Sequence, residues 1–320
     1  MIPIRRPGGD GFRESVIVIR SEDELQGLGE APVTHGRSRG LDDLMAELEG
    51  RAAAGPAARC GLETAELDLA ARRRGVPLVA LLGGARRDGV ECTALIGAES
   101  PELLVNEVEG WMALGFSAFK LKSARRALEV DLERLGAARF AAGAAARLRL
   151  DFNGSLTRLD ASERLRALAG FRLELIEQPL AAAAPAADWG HLRSQFPVRL
   201  AADESLADPD TAVELIGIGV LAAVKLATVG GPRRALEVAE RSTSGTTLGS
   251  SFESSIGLAA ALHVACALER EPLACGLATD RLSEAELAVG LEWKGPHLRL
   301  PRGPGLGLEL DPAALERYRL

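Results

Sequence analysis

Short apolar segments alternate with amphipathic segments along most of this chain. From about residue 91 onward, brief runs of Leu, Ala, Val and Ile are separated by stretches in which apolar residues recur with helical spacing, such as 101–114 and 233–241. The brief runs predict strands, and the stretches between them predict helices. Strands and helices in strict alternation favour an α/β fold with a closed parallel (β/α)7β barrel, similar to a TIM barrel, over an open sheet. The candidate strands are 91–97, 118–122, 147–153, 173–178, 198–204, 222–227, 246–251 and 273–278.

The first 90 residues do not follow this alternation, and they predict a small α+β domain. Their signals are a short apolar strand, a turn and two amphipathic helices, at 15–20, 27–30, 41–53 and 62–74. The end of the chain again has turn and strand signals, and we expect it to pack on the N-terminal part. The sequence therefore predicts a capping domain over 1–90, completed by 285–320, and a barrel domain over 91–284.

The composition narrows the classes of partner. With 47% hydrophobic but only 4% aromatic residues in 320, the core must consist mainly of Ala, Leu and Val. A net charge of −7 argues against nucleic acids and anionic membrane surfaces as partners. No apolar stretch approaches the roughly 20 residues that span a bilayer, and the first residues lack the apolar core of a signal peptide. We therefore expect a cytoplasmic protein whose four cysteines, none in a CxxC pair, are reduced. The sequence leaves the oligomeric state open.

Three acidic residues recur at a fixed interval near the ends of consecutive candidate strands. Asp151, Glu177 and Asp203 are each separated by 26 residues, with Lys122 before them and Lys225 after them. One βα unit takes roughly 25–30 residues. The five groups should therefore lie at the same end of neighbouring parallel strands, where barrel enzymes place their catalytic residues.

The three acids together predict a site for a divalent cation. An oxygen-rich ligand set without histidine or cysteine favours Mg²⁺, or Mn²⁺, over zinc. Asn153 lies on the same side of its strand as the acid two residues before it, and it could orient the site, as could Glu204. Each acid taken singly could instead cap the helix that follows it.

The lysines add a base to the predicted metal site. Alternation along the strand places Lys120 and Lys122 on one face. Two ammonium groups held close together near a metal ion depress each other's pKa, so we expect a neutral lysine that acts as a base near pH 7. Lys225 is a lone charge in an apolar strand, where burial is costly. These groups suit removal of a proton next to a carboxylate, with the metal stabilising the enediolate charge.

At this point the chain resembles the enolase superfamily, in its muconate-lactonising subgroup, over almost its whole length. Superfamily sites with a lysine or histidine base and Mg²⁺ are a known pattern. The resemblance implies a capping domain plus a (β/α)7β barrel, with Mg²⁺ held by the three acids. The motifs that carry it are Gly29-Glu30, Leu81-Leu82-Gly83-Gly84, Lys120-Leu121-Lys122, Asp151-Phe152-Asn153, Ile176-Glu177-Gln178-Pro179, Ala202-Asp203-Glu204-Ser205 and Val224-Lys225-Leu226.

Within this subgroup, segments 249–257 and 274–280 are most similar to the o-succinylbenzoate synthases of menaquinone biosynthesis. Dipeptide epimerases usually carry Asp-x-Asp in the eighth strand to hold an ammonium group, whereas Gly276 and Ala278 stand here. The resemblance implies a dicarboxylate substrate and a syn dehydration, with Lys122 as base and Lys225 as cationic stabiliser. It also implies substrate contacts from the late segments, and we expect them from Ser250, Ser251, Glu253 and Gly276.

Two other functions remain open at this level. The first is a racemase of N-acylamino acids or an epimerase of dipeptides, in which Lys122 and Lys225 would both act as bases. The second is a catalytically silent barrel that serves as a binding protein, although an idle cluster of buried charges would be destabilising. We also consider that a loop from the first domain, with His35 and Arg37, closes the site.

Overall fold

The computed structural model describes residues 2–6, 9–33, 40–123 and 126–319. Two antiparallel pairs begin the fold: β1 (Ile2–Arg6) with β2 (Gly9–Arg13), and β3 (Ser15–Glu22) with β4 (Leu25–Pro32). The turn predicted at 27–30 is wrong. Those residues belong to β4, and the chain reverses at Asp23, whose φ is +52°. Two helices follow, α1 (Leu41–Leu48) and α2 (Pro56–Arg73), and then a 3₁₀ turn (Leu78–Leu82).

A parallel sheet of seven strands forms most of the barrel wall, and neighbours in sequence are neighbours in the sheet. The strands are β6 (Ala94–Ile96), β7 (Ala118–Lys122), β8 (Arg147–Asp151), β9 (Leu175–Glu177), β10 (Arg199–Ala202), β11 (Leu221–Lys225) and β12 (Thr246–Gly249). The helices that follow them are α3 (Pro101–Ala113), α4 (Leu128–Ala142), α5 (Arg158–Leu168), α6 (Ala186–Gln195), α7 (Pro209–Gly217), α8 (Leu226–Val229), α9 (Pro232–Arg241) and α10 (Ser255–Ala267).

The eighth strand closes the ring through single bridges rather than a continuous ladder. Gly276 bridges to Gly249 on one side, and Cys275 bridges to Cys92 on the other, both in parallel. The backbone N–H of Thr93 donates to Cys275 O at 2.8 Å. The predicted (β/α)7β barrel is therefore confirmed, with an eighth strand shorter than the predicted 273–278.

The end of the chain pairs with segments that precede the barrel. It contains β13 (Ala288–Val289), β14 (Glu292–Lys294), β15 (His297–Arg299), β16 (Glu309–Leu310) and α11 (Pro312–Arg317). β15 pairs with β5 (Gly89–Glu91), and Leu306 N donates to the buried Asp68 of α2 at 2.6 Å. These contacts suit a tail that completes the N-terminal part, while the division into domains at 90 and 284 stays a prediction.

Small and aliphatic side chains fill the core, as the composition predicted. α10 is buried almost throughout and is rich in alanine, which lets it lie close to the barrel wall. A separate apolar cluster on the barrel strands consists of Leu175, Ala201, Leu221 and Ala223. At the carboxyl ends of the strands the barrel carries charged side chains instead. None of the described helices is both long and apolar enough to cross a membrane.

Candidate active site

Strand register brings the predicted charged residues to one end of the barrel. Lys122 on β7 pairs with Asp151 on β8, and Asp151 pairs with Glu177 on β9. Asp203 directly follows β10, and Lys225 is the last residue of β11. The carboxyl ends of parallel strands meet at the same edge, so five residues far apart in sequence become neighbours.

Three lysines and three buried carboxylates form a single ionic cluster there. Lys122 Nζ lies 2.7 Å from Asp151 Oδ2, and Lys225 Nζ lies 2.6 Å from Asp203 Oδ2. Lys120 Nζ joins two acids, at 2.9 Å from Glu177 Oε1 and 3.4 Å from Asp151 Oδ2. The carboxylates are at most 3% exposed. Charges buried this deeply must be paired, and every acid has a lysine partner.

The two residues predicted to support the site lie in the same network. Asn153 Oδ1 accepts from Lys122 Nζ at 3.0 Å, and its Nδ2 donates to Glu204 Oε1 at 3.1 Å. Its backbone N–H donates to Asp151 Oδ1 at 2.9 Å. Asn153 has φ +44°, a conformation that asparagine adopts more readily than most residues. Asn153 thus connects the candidate base to the neighbouring acids.

Gln178 is an additional residue that the sequence reasoning did not assign. Its Oε1 accepts from Asp203 N at 2.8 Å, and its Nε2 donates to Ser205 Oγ at 2.8 Å. The side chain is completely buried and the backbone is left-handed, with φ +39°. An amide directly after Glu177, at the end of an apolar strand, was the available signal, because a buried amide needs hydrogen-bond partners.

Two buried arginines also hold the strand ends and were missed. Arg149 lies beneath the cluster on the inward face of β8 and donates to Ala274 O at 2.7 Å. Arg134 of α4 reaches behind the candidate base, donating to Lys122 O at 2.7 Å and to Ala98 O at 3.1 Å. The alternation of charged residues in β8 was the sequence signal for Arg149. The position of Arg134 depends on tertiary packing alone.

A depressed pKa was expected for the Lys120 and Lys122 pair near a metal ion, whereas with protein groups alone the pKa of Lys120 is raised, as is that of Lys225. Burial alone would lower the pKa of Lys120, but the charges of Glu177 and Asp151 outweigh it and raise the pKa above its ordinary value. Burial acts in the same direction on Lys225, where Asp203 is the main opposing charge and the pKa is again raised. With only protein groups present, attraction to the carboxylates exceeds repulsion among the ammonium groups.

The donor set suits a hard divalent cation, although the side chains are not arranged around one. In the part of the chain that the structure describes, no three Asp, Glu, His or Cys side chains form a ready group of metal ligands. The three carboxylates bond to lysines instead. Asp203 Oδ1 is nevertheless buried without a hydrogen-bond partner among the described residues. Burial and the neighbouring acids also raise the pKa of Glu177. An unsatisfied oxygen and crowded carboxylates are what a cation would relieve.

Of the predicted substrate-binding residues, Gly276 lies beside the cluster, whereas Glu253 and Ser250 form hydrogen bonds within the protein. Gly276 lines a small cavity together with Lys120, Glu177 and Lys225, and the volume of about 10 Å³ is close to that needed by one water molecule. Glu253, by contrast, is 6% exposed and its Oε2 accepts from Ser250 Oγ at 2.7 Å and from Ser251 N at 2.6 Å. Its carboxylate therefore organises the loop, which differs from the expected substrate contact.

The hydroxyl of Ser250 is likewise engaged within the protein. It donates to the Glu253 carboxylate and accepts from Thr279 Oγ1 at 2.9 Å and from Phe252 N at 2.8 Å. A hydroxyl has one proton to donate, so Ser250 has none left for a substrate carboxylate in this arrangement. His35 and Arg37, considered as closing residues, lie outside the described residues.

The fold and this cluster define a barrel enzyme of a known family. Residues 103–314 match the family described as "Enolase C-terminal domain-like". The chain belongs to this family and is an enzyme of the enolase superfamily, in the muconate-lactonising subgroup. Enzymes of this superfamily generally use Mg²⁺.

Relatives within the subgroup have several activities. The chain is 31% identical to muconate cycloisomerase 1-1 of Acinetobacter lwoffii, covering 87% of this chain and 74% of that protein. It is 31% identical to the hydrophobic dipeptide epimerase of Enterococcus faecalis, covering 79% and 73%. It is 36% identical to the o-succinylbenzoate synthase of Thermobifida fusca, covering 54% and 55%.

A solved structure confirms the architecture. Muconate lactonizing enzyme from Pseudomonas fluorescens, complexed with muconolactone, superposes with a TM-score of 0.92 at 25% identity, over 100% of this chain and 95% of that one. This agreement covers the N-terminal part and the tail as well as the barrel.

Proposed function

We propose that this protein is an o-succinylbenzoate synthase that removes water from 2-succinyl-6-hydroxy-2,4-cyclohexadiene-1-carboxylate. The observation that carries the proposal is the end of the eighth strand, where Gly276 and Ala278 provide no carboxylate for a substrate ammonium group. The first of these lines the cavity beside the lysines. The 36% identity to a synthase over 177 residues supports the same assignment.

The chemistry begins with Lys122 and ends with the loss of water. Neutral Lys122 Nζ removes the proton next to the ring carboxylate, and the C–H electron pair moves into the enediolate. The same ammonium group then returns its proton to the departing ring hydroxyl. The C–O bond breaks, a C=C bond forms and the ring becomes aromatic. Asn153, which accepts from Lys122 at 3.0 Å, keeps the amine directed into the site.

Lys225 and the three acids would contribute to stabilising negative charge and would not transfer the proton. Lys225 Nζ would remain an ammonium group on the opposite face and stabilise the negative charge that develops. Asp151, Glu177 and Asp203 would hold Mg²⁺, or Mn²⁺, which when bound supplies Lewis-acid stabilisation of the enediolate charge. A cation there would also offset the carboxylate charges that hold the pKa values of Lys120 and Lys225 above their ordinary value.

Direct turnover is the test of this assignment. Purified protein with Mg²⁺ should convert the cyclohexadiene substrate, followed by its ultraviolet absorbance, and excess EDTA should abolish the conversion. cis,cis-Muconate and a hydrophobic dipeptide serve as competing substrates in parallel assays, because relatives with both activities cover most of the chain. If folded protein that binds Mg²⁺ does not turn over the cyclohexadiene, the proposal is wrong.

An epimerase or racemase is the second candidate, and the lysines on two strands favour it. Two bases on opposite faces would exchange the α-proton of both enantiomers of an acylated amino acid or dipeptide in deuterium oxide. Lys122→Ala and Lys225→Ala should each abolish exchange of one enantiomer in that case, while Lys294→Ala, which alters an exposed lysine, should abolish neither. A synthase without this side activity shows no exchange with these substrates.

A further inference from the structure

Glu30 is a buried carboxylate that contacts the barrel from outside it. It lies on β4, is 2% exposed, and has no lysine or arginine partner among the described residues. Its oxygens accept from Ser254 N at 2.9 and 3.0 Å, from Ser254 Oγ at 2.5 Å and from Gly257 N at 3.2 Å. These donors are the N-cap and first turn of α10, where the helix dipole favours a negative charge. Backbone N–H groups thus replace the usual basic partner.

The residues that Glu30 holds form the end of the loop beside the active site. Ser254 ends the segment 250–254, which connects β12 to α10 and contains two of the predicted substrate-binding serines. In the same segment Phe252 has φ +66°, a strained conformation for an aromatic residue. Such strain persists only where surrounding contacts enforce it. Glu253 fixes the beginning of the segment through Ser250 and Ser251, and Glu30 fixes its end.

Two glycines show how tightly this contact is built. A Cβ at Gly29 would lie 2.0 Å from Gly61 O, so β4 lies directly against the backbone of α2. A Cβ at Gly257 would lie 2.4 Å from the Cβ of Glu253 and 3.3 Å from Glu30 Oε2. Neither site has room for a side chain. The backbone beside Glu30 therefore packs closely against α2, and its carboxylate packs closely against the start of α10.

We propose that Glu30 is a positioning residue for substrate binding, through which the N-terminal β3–β4 pair sets the conformation of the 250–254 loop. This proposal depends on the proposed function in one respect, which is the identity of the substrate. Burial, together with the nearby charge of Glu30, raises the pKa of Glu253, which agrees with two acids sharing this interface. The groups that face the substrate's second carboxylate would then depend on a side chain outside the barrel.

Glu286 provides a matched control. It also places a carboxylate at the N-terminus of α10, accepting from Ser255 N at 2.6 Å. Glu286→Gln and Glu30→Gln therefore remove the same charge from the same helix end, but Glu286 accepts from Ser255 N whereas Glu30 accepts from Ser254. Ser254→Ala is a second variant, which removes one hydroxyl from the Glu30 contact together with the capping bond that this hydroxyl accepts from Ile256 N at 3.3 Å. The comparison of Glu30→Gln with Glu286→Gln is therefore the one that separates loss of charge at the helix end from loss of loop positioning.

Hydrogen exchange tests the contact without any substrate. In Glu30→Gln the Ser254 and Gly257 amides should exchange at least about 10-fold faster, because a neutral amide is a weaker acceptor than a carboxylate for these buried N–H groups. Peptides covering 249–258 should show this change, whereas Glu286→Gln should leave the Ser254 and Gly257 amides protected. Equal protection of these amides in Glu30→Gln and in the unmodified protein would overturn the proposal, whatever the enzyme's substrate.

Kinetics with the cyclohexadiene substrate provide the second readout. Glu30→Gln should raise KM about 10-fold while kcat changes less than about 3-fold, because a loop that positions the substrate would affect its binding and not the cleavage of the reacting C–H bond. Ser254→Ala should change KM in the same direction by a smaller factor, and Glu286→Gln should not change it. Equal increases in KM in the Glu30 and Glu286 variants, or a loss confined to kcat, would show that Glu30 does not position the substrate loop.

Discussion

At the scale of single residues, the use of lysine is selective. The chain has four lysines among 38 basic residues, and three of them lie in the barrel cluster. Arginine forms stronger bidentate pairs and remains charged in proteins, whereas lysine can lose its proton when its surroundings change. A cluster of ion pairs with a purely structural role does not need a cation that can lose its proton. Lysine at these positions therefore suits a site in which a side chain transfers a proton.

Arginine substitutions separate the two lysines by role. Lys122→Arg keeps a positive charge but cannot act as a base, so we expect kcat to fall about 10²–10⁴-fold. Lys225→Arg keeps the charge that a cationic stabiliser needs, so it should retain far more activity. Steady-state kinetics of both variants, with Lys294→Arg as control, make the comparison. Equal losses at Lys122 and Lys225 would contradict a synthase with one base and favour a two-base reaction.

At the scale of elements, the ends of neighbouring strands are connected by side chains rather than by the sheet alone. Gln178 follows β9 and binds the backbone of Asp203, which follows β10. The candidate metal ligands on two strands are thus held by one amide. Residues behind metal ligands typically contribute 10–100-fold to metal affinity, and here that residue is uncharged and does not titrate.

Replacing Gln178 should therefore weaken Mg²⁺ binding without removing a ligand. We expect Gln178→Leu to raise the Kd for Mg²⁺ about 10- to 100-fold, measured by calorimetry. Gln195→Leu is the matched control, because Gln195 is exposed near the end of α6. Calorimetry needs no substrate, so the result does not depend on the proposed reaction. An unchanged Kd in Gln178→Leu would show that Asp203 does not need this support.

The sequence predicted local features of these elements better than contacts between them. β7 and the candidate metal ligands lie where alternation and spacing placed them, because both depend on the strand period and the length of a βα unit. The predicted turn at 27–30 failed because Gly27 and Gly29 serve close packing on α2 rather than a reversal. The inward turn of Glu253 depends on Ser250 and Ser251 contacts that no periodicity reveals.

At the scale of the whole molecule, His263 connects three distant parts of the chain. It lies completely buried on α10. Its Nδ1 accepts from Val79 N, in the 3₁₀ turn, at 3.1 Å, and its Nε2 lies 3.2 Å from Leu306 O in the tail. The first contact requires an unprotonated Nδ1, so the neutral ring with the proton on Nε2 satisfies both partners. Protonation would place two N–H groups against each other.

This arrangement predicts a loss of stability in mild acid. Burial lowers the pKa of His263 to about 4 from an ordinary 6.5, so the unfolded chain binds its proton first as the pH falls. The contribution of His263 to the free energy of unfolding is complete above about pH 6.5 and is lost as the pH falls towards 4. Between pH 7 and pH 5 the loss should be about 2 kcal/mol.

The neutral variant His263→Gln isolates this contribution, because glutamine can still accept from Val79 N and donate to Leu306 O. Urea unfolding measures the free energy of unfolding at pH 7 and at pH 5. The loss between these two pH values should be about 2 kcal/mol smaller in His263→Gln than in the unmodified protein. His297→Gln, which replaces an exposed histidine on β15, should behave like the unmodified protein. If the two proteins lose equal stability between these pH values, His263 is not neutral in the folded state and the tail is held to α10 by other groups.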